Sequence, residues 1–190
     1  MLDFSNSKIL IVGDVMLDKY YFGKVDRISP EAPVPIVNIQ KEESRLGGAS
    51  NVANNIVSLG GHSLLCGVIG HDLFGKEIER ISRHKNIDTF LLKTSSPTIT
   101  KARIIGGKQQ IVRVDYEDKS ELNADNKKLF RDTISRILPE YDILVISDYG
   151  KGLISEDLCR YLIKLAHKYD KKVIIDPKGK NWEKYSGADI

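Results

Sequence analysis

The chain has 190 residues, 41% of them hydrophobic and 29% charged, with a formal net charge of +3. That balance describes a soluble globular domain with a real core and excludes a disordered chain. The small positive excess, without a basic stripe interleaved with aromatics, argues against a nucleic-acid partner and fits a small anionic ligand.

In chain order, Ile9-Leu10-Ile11-Val12 is a continuous apolar run ending in Gly13-Asp14, the pattern of a buried parallel strand. Residues 20–40 contain aromatics and Pro30, Pro33 and Pro35, followed by the alternating Ile36-Val37-Asn38-Ile39. Three prolines forbid a helix and disfavour a central strand, so this stretch is expected to be an edge excursion or flap. Gly47-Gly48 then leads into a helix whose apolar face is Val52/Ala53, Ile56/Val57 and Leu59, stopped by Gly60-Gly61. A second buried strand spans Ser63–Ile69, a turn and short helix follow to about His84, and Thr89–Leu92 is a third strand. Residues 98–105 and 110–115 are extended and joined at Gly106-Gly107-Lys108, which predicts a hairpin. Beyond it come a helix around Leu129–Leu138 ended by Pro139, a strand Ile143–Ile146, a helix striped by Leu158, Leu162, Leu165 and Tyr169, and a strand Lys172–Ile175. At Gly187-Ala188-Asp189-Ile190 a further strand is expected to be starting.

Strands alternating with helices predict an α/β fold with a parallel sheet covered by helices on both faces. The two excursions stand outside that alternation and are read as one small antiparallel sheet lying over the main one. No apolar run approaches the length of a membrane span and the first residues lack a signal-peptide layout, so the protein is read as cytoplasmic with no membrane partner. Cys66 and Cys159, far apart and without a ligand pattern, read as reduced thiols, and none of the four histidines has a metal-ligand partner at a useful spacing.

The chemistry concentrates in a few stretches. Arg45-Leu46-Gly47-Gly48-Ala49-Ser50-Asn51 joins a glycine pair to a helix start, where close backbone approach and free N–H groups suit a polar, oxygen-rich molecule. Three strands end in an aspartate: Asp14, Asp148 and Asp176. Ligands of open α/β sheets bind at the carboxyl ends of strands, so these carboxylates can face one cleft; capping of following helices is the alternative for each taken alone. Lys151 and Lys178 follow two of them on glycine-containing loops and suit a phosphate group. Lys101 and Arg103 share one face of a strand, with Lys108 and Arg113 nearby; a phosphate site and ordinary solubilising charge both remain open for them. There is no P-loop and no serine-nucleophile elbow, and Gly13-Asp14-Val15-Met16 stands where a dinucleotide fingerprint would be.

Taken together, Gly13-Asp14-Val15-Met16-Leu17-Asp18, the flap Arg27–Pro35, Gly47–Ala53, Thr98–Lys101, Ser147–Gly152 and Asp176–Gly179 resemble the ribokinase-like (PfkB) carbohydrate kinases, and within them the branch acting on heptose 7-phosphates. The resemblance implies a ribokinase-like parallel-sheet sandwich with a small antiparallel β lid made of segments 19–41 and 97–117. It implies ATP and Mg2+ as cofactors, a sugar-phosphate substrate, and a homodimer formed through the lid. Asp14, Asp18, Gly47, Gly48 and Asn51 would contact sugar hydroxyls, together with Asp148. On electrostatic grounds the 7-phosphate is assigned to Lys101, Arg103 or Arg113, while Lys151, Asp176 and Lys178 are placed near the transferred phosphate. Family members carry a later Gly-Ala-Gly-Asp motif whose aspartate is the general base. This sequence has none, so the general-base aspartate is expected beyond Ile190 and no catalytic residue is assigned within the chain. Residues 1–190 are accordingly expected to be the N-terminal part of a kinase domain without its ATP-binding part. On that expectation the chain alone shows little or no ATP-dependent phosphorylation.

Overall fold

A computed structural model describes residues 4–190. Five strands form a parallel sheet in the order β5-β4-β1-β8-β9: β1 (Lys8–Gly13), β4 (His62–Gly70), β5 (Asp88–Thr94), β8 (Ile143–Ser147) and β9 (Lys172–Asp176). Alternation along β1 divides its side chains between two cores. Leu10 and Val12 pack with Phe130, Ile134, Leu144 and Leu162, under helices α3 (Ala124–Ile137) and α4 (Glu156–Lys168). Ile11 packs with Ala49, Ala53, Leu65 and Ile78, under α1 (Ala49–Ser58) and α2 (Leu73–His84). Burial on both faces is why these strands read as unbroken apolar runs. Leu59, expected on the inner face of α1, is two-thirds exposed, because the helix ends one residue earlier. Pro139 sits in a single turn of 3-10 helix that closes α3.

The expected strand at Gly187–Ile190 is not formed as an element of its own, but its last two residues do line the edge of β9. The Asp189 and Ile190 N–H groups donate to the Val173 carbonyl at 3.0 and 3.3 Å, and the Ile190 carbonyl accepts from the Ile175 N–H at 2.9 Å. The Ile190 side chain is 80% exposed.

Caps fix where three of the helices begin. Asp72 accepts a hydrogen bond from the Gly75 N–H at α2, Asn123 from Asn126 at α3, and Ser155 from Leu158 at α4. The aspartates ending β8 and β9, and Asp14 after β1, cap no helix.

The second sheet has four strands in the order β3-β2-β6-β7: β2 (Val15–Ile28), β3 (Pro35–Gly48), β6 (Thr100–Gly106) and β7 (Gln109–Tyr116). Both hairpins are antiparallel, but β2 and β6 pair in parallel from Leu17↔Thr100 to Gly23↔Gly106, so the sheet is mixed rather than antiparallel throughout. The reason is geometric. In a parallel sheet β1 and β5 end at the same edge, and β2 and β6 leave that edge in the same direction. The first hairpin is also longer than residues 19–41, starting directly after Asp14 and returning through Gly48. Its central strand, β2, contains no proline: Pro30 and Pro33 lie in the turn and Pro35 is the first residue of edge strand β3, where the missing N–H is tolerated.

No helix among the described residues is long and apolar enough to cross a membrane.

Candidate functional site

The site is built where the two sheets meet. Asp14 lies between β1 and β2 with 2% of its surface exposed. Its Oδ2 accepts hydrogen bonds from the Tyr149 N–H at 2.8 Å and the Lys151 N–H at 3.1 Å, which wraps the loop after β8 around the carboxylate. Burial raises the Asp14 pKa above the ordinary value; those two hydrogen bonds oppose the shift and the nearby Asp148 charge adds to it.

The backbone beside Asp14 requires glycine. Gly48 has φ +55°, and a Cβ there would lie 2.4 Å from the Asp14 carbonyl oxygen. A Cβ on Gly47 would lie 2.5 Å from Asp18 Oδ2, so the absence of a side chain at 47 is what admits the Asp18 carboxylate. The Ser50 hydroxyl donates to the Gly47 carbonyl at 2.6 Å and lies 3.2 Å from that of Met16, pinning the start of α1 to both strands of the hairpin. No side chain caps α1, and Asn51 stands exposed in its first turn, where the free N–H groups lie. Gly47 and Gly48 therefore end a long strand rather than forming a loose loop.

Asp18, Lys101 and Arg103 come together on one face of the lid. Arg103 Nη1 donates to Asp18 Oδ1 at 2.6 Å, with both side chains about one-fifth exposed. The Lys101 ammonium lies 5.9 Å from the centre of the Tyr149 ring, so the lid reaches the loop after β8. Arg113 faces Arg103 in register, but both arms of its guanidinium are held by Asp115, at 2.8 and 3.0 Å.

The remaining predicted residues divide. The Lys151 ammonium forms an ion pair with Glu117, just past β7, whose carboxyl is held below the ordinary range by that contact. Asp148 is buried but turned to other partners: it accepts from the Gly150 N–H at 2.7 Å and the Tyr185 hydroxyl at 2.7 Å, and pairs with Lys184. Tyr185 in turn accepts from the Lys178 N–H at 2.9 Å, and its hydroxyl lies 3.0 Å from the Lys178 carbonyl. Asp148 thus ties together the two loops that carry Lys151 and Lys178. Burial is the largest influence on the Lys184 pKa and works to lower it, but the hydrogen bonds and charges of Asp148 and Tyr185 together outweigh it and raise the value. Asp176 and Lys178 are exposed at the end of β9, and the Asp176 charge, after burial, helps raise the Tyr149 hydroxyl. The Asp189 carboxylate holds Lys172 and the Val173 N–H at the opposite end of β9 from Asp176.

Sequence reasoning included Arg45 and Tyr149 in its motifs without assigning either a role, and it passed over Tyr20, Lys184 and Tyr185. Strand alternation could have given Arg45 its place, two residues from Gly47 on the same face; nothing local marks Tyr20, Lys184 or Tyr185. It also passed over a cavity of about 210 Å³ where β1, β4 and β5 end, walled by Asp14, Ile69, Thr94, Ile99, Leu122 and Lys151.

The family description "pfkB family carbohydrate kinase" matches residues 6–187. The chain belongs to the pfkB family. Among curated relatives, it is 47% identical over 185 residues to the bifunctional protein HldE of Helicobacter pylori, covering 96% of this chain and 40% of that one. It is 44% identical over 187 residues to the D-beta-D-heptose 7-phosphate kinase of Bordetella bronchiseptica, covering 98% and 58%. This pfkB chain thus spans 40% and 58% of the length of these two curated relatives. Among solved structures, a possible 1-phosphofructokinase of Thermotoga maritima superposes with TM-score 0.75 at 21% identity, covering 96% of this chain and 57% of that one. The tetrameric inhibited form of phosphofructokinase-2 from Escherichia coli does so with TM-score 0.72 at 19% identity, covering 94% and 57%. At those identities the likeness is one of fold: the ribokinase-like sandwich with its β lid.

Proposed function

We propose that this chain holds the sugar site of an ATP-dependent kinase that phosphorylates D-glycero-β-D-manno-heptose 7-phosphate at O1, giving the 1,7-bisphosphate for ADP-heptose and lipopolysaccharide-core synthesis in the cytoplasm. The observation that carries the reading is the cleft itself. A buried carboxylate (Asp14), two glycines that clear the backbone and an uncapped helix start face a lid carrying Lys101 and Arg103. Hydroxyls suit the first set and a phosphate suits the second. The identity of 44% to a protein named D-beta-D-heptose 7-phosphate kinase supports the choice of sugar.

In this reading Asp14, Asp18, Gly47, Gly48 and Asn51 orient the sugar, and Lys101 with Arg103 neutralises its phosphate. Asp148 acts through the loops it fixes. Asp176 and Lys178 lie toward the nucleotide. No residue up to Ile190 is assigned as general base, and the proposal places that aspartate in a later segment of the whole kinase. ATP supplies the phosphoryl group. No group of three or more His, Cys, Asp or Glu among the described residues is placed to hold a metal ion, so Mg2+ is proposed to arrive with the nucleotide. The family's in-line transfer then rests on positioning and charge neutralisation.

A homodimer through the lid belongs to the same proposal. Val34, Val37, Ile39, Ile104, Ile111 and Val112 form an apolar surface on the lid, where exposed side chains of this kind favour a partner.

Titration calorimetry tests the reading. Heptose 7-phosphate should bind at least tenfold more tightly than fructose 6-phosphate, and Asn51→Ala should weaken it about tenfold. Equal affinity for the two sugar phosphates would overturn the heptose assignment.

A further inference from the structure

The lid face above the cleft carries a more specific device than a scatter of cations. Across the four strands, Arg45, Asp18, Lys101 and Asp115 lie in one cross-strand row, and Glu43, Tyr20, Arg103 and Arg113 in the next. Residues two apart on a strand point the same way, so both rows share a face. Tyr20 is the centre: the Arg45 guanidinium carbon lies 4.9 Å from its ring centre and that of Arg103 lies 5.1 Å away. One aromatic ring thus holds two planar cations at cation–π distance.

Each guanidinium is only partly engaged. Arg103 uses Nη1 on Asp18, with a longer contact of 3.4 Å to the Lys101 carbonyl, and Arg45 uses Nη2 on Glu43 at 2.7 Å. An arginine has five N–H donors, so most of both forks remain available. Glu43 is also held by Lys41 at 2.6 Å, and Lys101 has no ion pair among the described residues. Lys41, Arg45, Lys101 and Arg103 stand against Asp18 and Glu43, leaving an excess of two positive charges. A phosphate dianion has that charge. Arg113 is different: Asp115 occupies its fork from the bidentate side.

We propose that Arg45 and Arg103, held against Tyr20 and aided by Lys101, form the receptor for the phosphate that the sugar already carries, and that Arg113 lies outside it. The idea rests on the sugar-phosphate reading above and adds the residues that set its specificity. Arg45 lies two residues, about 7 Å along the strand, from the Gly47 that borders Asp18. That spacing separates Arg45 from the Gly47–Asn51 end of the cleft by roughly the length of a sugar, and Asp18, opposite Arg45 in register, stands between the two ends. Asp18 and Glu43 keep the two forks oriented before the ligand arrives, so less side-chain entropy is lost on binding.

The test compares heptose 7-phosphate with the same heptose lacking the phosphate, by calorimetry on this chain and on Arg45→Gln, Arg103→Gln and Arg113→Gln. Circular dichroism melts check that each variant folds. Arg45→Gln should weaken the phosphorylated sugar about tenfold to hundredfold and leave the unphosphorylated sugar within about twofold. Arg103→Gln should weaken the phosphorylated sugar at least about tenfold more than the unphosphorylated one, which it also affects through Asp18. Arg113→Gln should change neither by more than about twofold. Intact 7-phosphate affinity in Arg45→Gln, or equal weakening of both sugars, would overturn the receptor. If neither sugar binds the unmodified chain, the heptose reading has failed on its own, and inorganic phosphate becomes the probe. Saturable phosphate binding lost in the Arg45→Gln/Arg103→Gln pair would uphold the receptor, and its absence from the unmodified chain would sink it.

Discussion

The two sheets of this protein are built on opposite terms. Strands of the parallel platform are five to nine residues long, the central ones are buried on both faces, and their side chains supply both apolar cores. In the lid, two strands run to 14 residues, and β7 is exposed along its whole length. The lid keeps one face polar over the cleft and leaves apolar side chains such as Val112 and Ile111 exposed. A rigid platform sets where Asp14 stands. The lid sets which charge meets the ligand.

That contrast can be broken at the core. Phe130→Ala removes a fully buried ring under α3 and should cost about 3–5 kcal/mol in denaturant unfolding. Val112→Ala in the lid, at a side chain 45% exposed, should stay within about 0.5 kcal/mol. Comparable losses at the two positions would mean that platform and lid form one cooperative core, and the contrast would fall.

The junction between the sheets is sharpened by Gly48→Ala. The positive φ and the blocked Cβ position predict a cost of about 1–3 kcal/mol, with sugar binding lost even where the variant is folded. A variant as stable as the parent would show that the backbone here relaxes freely.

Asp14 gives a small effect on stability and the most diagnostic one. Its folded pKa lies above the ordinary value near 3.8, so the folded state keeps the proton longer than the unfolded state. Its contribution is therefore most favourable at acid pH, declines as pH rises from about 3.8 through the raised folded value, and is flat beyond it. Asp14→Asn should flatten that segment of the pH–stability curve and raise the neutral-pH melting point by a few degrees at most, while abolishing sugar binding. A melting point that fell instead would mean that the hydrogen bonds from Tyr149 and Lys151 outweigh burial.

Much of the platform was legible because its signals are local. Continuous runs such as Ile9–Val12 and Ile143–Ile146 are what burial on both faces demands, and Pro139 marks a helix end by its own chemistry. The lid was half legible. Alternation exposed the second hairpin and marked residues 20–40 only as an edge excursion or flap, and neither turn nor strand composition encodes which strand of one hairpin pairs with which strand of the other. The site divided in the same way. Gly47 and Gly48 are marked by residue type alone, whereas the turning of Asp148 toward Lys184 and Tyr185 depends on residues 36 and 37 positions away.

By itself, then, the sequence determined the alternation of strands and helices, the glycines that clear the backbone and the set of ionisable groups available. Those follow from side-chain shape, hydropathy and charge, which are properties of single residues and their near neighbours. Tertiary structure alone decided that β2 and β6 lie side by side in parallel, that Arg103 meets Asp18 across 85 residues of sequence, and that Arg45 and Arg103 share the Tyr20 ring. The physical reason is that pairing between distant strands is set by the common edge from which they leave the platform, and that edge exists only once the sheet is assembled.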